Sequence, residues 1–122
     1  MVESAPSTNE LPPMREDWQR ALAVVAHPDD MEYGAAAAVA RWTSAGKEVA
    51  YVLVTRGEAG ISSLPPGQCG PLREEEQHRS CAVVGVTDLS FLDHRDGLVE
   101  ADLKLRADLT GAIRHHRPEV IL

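Results

Sequence analysis

The run His27-Pro28-Asp29-Asp30-Met31-Glu32 gathers one imidazole and three carboxylates into six positions. His27 and Asp30 stand three apart across a turn stiffened by Pro28, so both side chains can face one point. An imidazole nitrogen and a carboxylate oxygen meeting there suit Zn²⁺ first, with Mn²⁺ or Fe²⁺ after it. Asp29 would then lie beside the ion without binding it, free to act as a general base. A plainer account has one aspartate cap the following helix while His27 bonds locally, a cap worth about 1 kcal/mol. Capping uses one carboxylate and leaves the second, and the histidine, unexplained.

The remaining polar residues have quieter settings. His115 and His116 precede Pro118 at a helix end, where imidazoles complement the dipole. His94 reads as a turn residue and His78 as part of a solvated face. Glu74, Glu75 and Glu76 are expected in the first turn of their helix, where negative charge is favoured in any case. Glu58 falls near the candidate site, Cys81 on an apolar stretch expected in the core, and Cys69 in a loop with no evident role.

These residues need a frame. The continuous apolar runs 21–26 and 49–54 predict strands buried on both faces. Between them, residues 30–45 predict an Ala-rich helix closed by Gly46. Residues 56–71 hold four glycines and three prolines and read as one long loop. A helix over 72–84 ending near Gly85, a strand over 88–92 and a turn at Arg95-Asp96-Gly97 follow. Leu105, Leu109, Ala112 and Ile113 mark an amphipathic helix that Pro118 stops, and Val120-Ile121-Leu122 opens a fourth strand. Alternating strands and helices with right-handed crossovers make an α/β fold, a Rossmann-like three-layer sandwich on a mostly parallel sheet. Ligands bind beyond the carboxyl ends of such strands, which selects the loops after Ala26, Val54 and Leu92. The sequence stops inside the fourth strand, so we expect the N-terminal part of a longer domain, with an open edge that favours self-association.

Of the 122 residues 43% are hydrophobic and 25% charged, the composition of one globular domain. Twelve basic against 19 acidic residues leave a net charge of −7, which argues against nucleic acid or an anionic membrane as the main partner. No apolar run approaches the ~20 residues of a membrane span. The start, MVESAPSTNELPP, has no apolar signal core, so a cytoplasmic location is expected. Residues 1–17, with Pro6, Pro12 and Pro13, read as a flexible leader to a domain over 18–122. Two cysteines without CxxC spacing are too few for a disulfide framework.

The stretch AHPDDMEYGAAAAVARWTSAGKEVAYVLVTRGEAG resembles the PIG-L or LmbE-like zinc-dependent N-deacetylases, whose signature is AHPDD after the first strand. Thr55-Arg56-Gly57-Glu58, Arg73-Glu74-Glu75-Glu76, Gly85-Val86 and Arg95-Asp96-Gly97-Leu98 resemble the family's later elements in order, so the likeness runs over residues 21–122. The resemblance implies hydrolysis of an N-acetyl group on an N-acetylglucosamine-type sugar or related small amide. It makes His27 and Asp30 zinc ligands, Asp29 the general base, and Arg73 and Asp96 contacts to sugar hydroxyls. Met31 stands where relatives often carry glutamate, while Glu32 is retained. The family's third zinc ligand is a histidine after the fourth strand, and this sequence ends at Leu122; His115-His116 does not replace it. Weak metal affinity and little turnover are therefore expected. Two rivals remain. A receiver-like phosphoacceptor domain would use Asp93 as acceptor but lacks a fifth strand and its lysine; a metal-free binding domain would share the fold without the chemistry.

Overall fold

The computed structural model describes residues 9–122. Strands β1 (Arg20–Val25), β2 (Glu48–Leu53), β3 (Asp88–Phe91) and β4 (Val120–Ile121) form a parallel sheet in the order β3-β2-β1-β4. β1 and β2 pair along their whole length, from Arg20 opposite Glu48 to Val25 opposite Leu53. The two-residue period of a strand sorts their side chains cleanly. Ala21, Ala23, Val49, Tyr51 and Leu53 face one side, against Met31, Val39, Trp42, Cys81 and Val86. Leu22, Ala50 and Val52 face the other, against Val24, Leu92 and Ala112. Helices α1 (Asp30–Gly34), α2 (Ala36–Ser44) and α3 (Pro66–Val84) therefore cover the first face, and α4 (Leu103–His116) the second. The expected three layers are present.

Three local expectations are corrected. The helix over 30–45 is two helices, because Ala35 leaves helical geometry just after Gly34, a weak helix former. The long loop ends at Pro65, and α3 begins at Pro66 rather than near 72. Pro65 is held extended by the proline after it, and Pro66 occupies the first helical position, where a missing N–H costs nothing. Gly67, Gly70 and Pro71 disguise this start, yet burial of Cys69 and Gly70 outweighs their poor propensity. Glu74–76 consequently sit mid-helix instead of in a first turn.

Residues 1–8 of the expected leader lie outside the described residues. At its other end the chain is already fastened: Glu16 accepts from the Trp42 indole (3.2 Å) and Trp18 Nε1 donates to the Arg15 carbonyl (2.8 Å). Trp18 itself is buried edge-on against Trp42, with centroids 5.0 Å apart. Among the described residues no helix is long and apolar enough to cross a membrane.

The strand order reverses direction at β1: β2 and β3 extend to one side and β4 to the other. That reversal is the switch point where doubly wound sheets open a crevice at their carboxyl ends. A receiver-like sheet would place β1 between β2 and β3. Here β4 takes that place and β3 is an edge, which removes the phosphoacceptor alternative.

Candidate active site

β1 delivers the His27 loop to the switch point, and pairing with β2 continues past the strand ends. Val54 N bonds Val25 O, Thr55 N bonds Ala26 O (both 2.9 Å), and Thr55 Oγ1 donates to Ala26 O (3.0 Å). In the turn that follows, Asp30 Oδ2 accepts from the Ala26 and His27 amides, each at 3.1 Å. Its other oxygen, Oδ1, lies 3.0 Å from His27 Nδ1. The angles do not make this a hydrogen bond, and Nδ1 is buried with no hydrogen-bond partner. Two donors about 2.1 Å from one tetrahedral zinc sit roughly 3.4 Å apart, a few tenths beyond the spacing seen. A buried, orphaned imidazole nitrogen beside a carboxylate oxygen thus fits two ligands of one ion. Among the described residues no group of three or more His, Cys, Asp or Glu side chains is arranged to hold a metal.

Neither aspartate caps α1. Asp29 occupies the N-cap position in a left-handed backbone (φ +79°) and makes no side-chain cap bond. Outside glycine, that conformation is uncommon and aspartate is among the residues that tolerate it. Its carboxylate, 63% exposed, meets Arg73 Nη2 at 3.1 Å. Arg73 also donates to Pro28 O (3.1 Å) and Gly57 O (2.8 Å), tying the loops after β1 and β2 together from α3.

The site residues fall into two groups. His27 lies against Asp30, and Asp29 against Arg73. Asp96 joins through the β2 loop: its Oδ2 accepts from Ala59 N (3.0 Å) and its own amide donates to Glu58 Oε1 (2.7 Å). Glu58 is thus a brace between the two loops. Arg56 bonds Asp93 (2.9 Å) and Glu74 (3.0 Å), and these partners, Asp93 foremost, push its guanidinium further above its usual range.

Sequence reasoning missed a buried polar seam behind the loop. Glu32 Oε1 accepts from Gln77 Nε2 (2.8 Å) and Ser80 Oγ (2.7 Å), joining α1 to α3. Its only trace in the sequence is a glutamate two residues beyond Asp30. Burial, with Glu32 nearby, pushes the Cys81 thiol up. The other histidines have structural partners: His94 Nε2 lies 2.7 Å from Asp108 and His116 Nδ1 3.5 Å from Asp88, while His78 sits tilted beside Phe91 and His115 edge-on to His116.

The family model described as GlcNAc-PI de-N-acetylase, PIG-L, matches residues 22–122. The diacetylchitobiose deacetylase of Thermococcus kodakarensis is 29% identical over 87% of this chain and 40% of its own. The 1D-myo-inositol 2-acetamido-2-deoxy-alpha-D-glucopyranoside deacetylase of Thermobifida fusca is 33% identical over 85% of this chain and 46% of its own. Among solved structures, the N,N′-diacetylchitobiose deacetylase from Pyrococcus horikoshii matches with a TM-score of 0.82 at 29% identity, covering 86% of this chain and 40% of that one. GalB, the 4-carboxy-2-hydroxymuconate hydratase of Pseudomonas putida KT2440, matches at 0.76 and 25% identity, over 84% and 45%. The chain spans less than half the length of each of these proteins.

Proposed function

The chain belongs to the PIG-L family of GlcNAc-PI de-N-acetylases, and from that premise we propose that its site serves metal-dependent hydrolysis of the N-acetyl group of an N-acetylglucosamine-type sugar. The observation that carries this reading is the orphaned, buried His27 Nδ1 facing Asp30 Oδ1 at 3.0 Å. His27 and Asp30 would hold the ion, and a nitrogen–oxygen donor pair suits zinc. A divalent ion bound there supplies Lewis acidity, polarising the amide carbonyl and making water a usable nucleophile near neutral pH.

The proton chemistry falls to this chain's own residues. Asp29 takes a proton from the attacking water and returns it to the amide nitrogen, which leaves readily only once protonated. The exposure of its carboxylate to solvent supports that reading. Asp30 is pinned by two backbone amides, so one of its oxygens stays turned toward His27. Asp96, with one oxygen on Ala59 N, has the other to offer a sugar hydroxyl. Arg73 shares that role in the resemblance, although its guanidinium already has three protein acceptors. Cys69 and Cys81 are buried free thiols, which suits a reducing cytoplasm.

Zinc titration of the purified chain, paired with amine release from N,N′-diacetylchitobiose by a form extended to its relatives' length, tests the reading. Asp29→Asn should keep zinc and lower release at least ~100-fold. Undiminished release would move the base elsewhere. A hydratase in the same assay would liberate no amine.

A further inference from the structure

We propose that Arg73 is a positioning residue: seated in a cradle formed by Gly57 and Gly60, its guanidinium holds Asp29 in the left-handed backbone and fixes where that carboxylate points. The inference rests on the reading of Asp29 as the group that handles the proton.

Arg73 comes from α3, some distance along the chain, yet its fork closes on the loops after β1 and β2 together. Nη2 donates to both Pro28 O and Asp29 Oδ2 at 3.1 Å, and Nη1 to Gly57 O at 2.8 Å. Its side chain is 13% exposed against 63% for Asp29, so the arginine is the anchored partner and the aspartate the presented one. The cradle is specific to this contact. A Cβ on Gly57 or on Gly60 would overlap Nη1. Both glycines leave the room that the guanidinium occupies.

The geometry also shows what Arg73 prevents. An aspartate at an N-cap ordinarily turns its side chain onto the amides of the first helical turn. Asp29 stands at the N-cap of α1 and makes no such bond. With Arg73 gone, nothing described holds the carboxylate away from those amides, and Asp29 would relax into a capping residue withdrawn from the loop mouth. A planar fork bonding two acceptors on one loop and one on another is work that a single flexible ammonium cannot reproduce.

The test uses Arg73→Gln and Gly60→Ala, read first by NMR. Both variants should shift the Asp29 Cα and carboxyl resonances toward those of a capping aspartate, and Gly60→Ala should add nothing in an Arg73→Gln background. Arg73→Lys should behave like Arg73→Gln. With N,N′-diacetylchitobiose as substrate, kcat should fall on the order of tenfold to a hundredfold while KM holds. Unmoved Asp29 resonances in Arg73→Gln would overturn the proposal, as would a raised KM at constant kcat, the mark of a direct sugar contact. The Asp29 resonances decide this proposal whether or not amine is released, and absence of release by a form extended to its relatives' length would defeat the functional reading alone.

Discussion

Asp30 carries two tasks on one carboxylate, and they can be separated by substitution. Oδ2 closes the turn by accepting two amides, while Oδ1 faces His27. Asp30→Asn keeps an acceptor for the amides but loses the charge. It should therefore leave thermal stability nearly unchanged while weakening zinc binding. Asp30→Ala should lose both, with about 1–3 kcal/mol of stability gone as well. Zinc titration and melting curves on the two variants check this; equal zinc affinity in both and in the parent would remove Asp30 from the ligand set. The pair was legible in the sequence because four polar residues crowding the end of an apolar strand are hard to place by packing. The left-handed twist at Asp29 was not, since the same residue type also makes an ordinary cap. Nor was the fork of Arg73, whose acceptors lie far off in the chain.

Among the elements, strand cores were easiest to read and helix starts hardest. Continuous apolar runs marked β1 and β2 to within a residue, because strands buried on both faces have no polar alternation to blur them. The start of α3 was hidden because glycine and proline signal a loop locally, and only tertiary burial of Cys69 overrides that signal. Its end was plain. Gly85 has φ +79°, and a Cβ there would come within 2.7 Å of Thr43 Oγ1, which itself donates to Val84 O at 2.6 Å. Gly85→Ala should destabilise by about 1–2 kcal/mol, read from urea unfolding. A neutral result would mean that α2 and α3 are not locked at this point.

The loop after β3 is fastened to α4 through His94 and Asp108. The hydrogen bond from His94, and then Lys104, holds the Asp108 carboxyl below its usual range. A lowered folded value means that the contribution is fully present above the ordinary carboxylate pKa of about 4 and fades as pH falls through the lower one. Melting temperature should thus drop on acidification below about pH 4, less steeply in Asp108→Asn. Equal slopes would show that the pair does not stabilise the fold.

At the scale of the molecule, composition excluded more than it assigned. A net charge of −7 spoke against polyanionic partners, and alternating strands and helices fixed the layers. Strand order was beyond reach: crossovers of similar length fit 3-2-1-4 and 2-1-3-4 alike, and only coordinates show β4 beside β1. Either order leaves His27 at the switch point beyond β1; the observed one sets β4 rather than β3 beside it.

The pairing of β1 is lopsided, six residues against β2 and two against β4. In deuterium exchange the amides bridging β1 and β2 should be the last to label, opening only with global unfolding. Uniform protection across the sheet would contradict this. The consequence is that the imidazole hangs from the slow-exchanging seam of the sheet, so its place should persist through every local opening short of global unfolding.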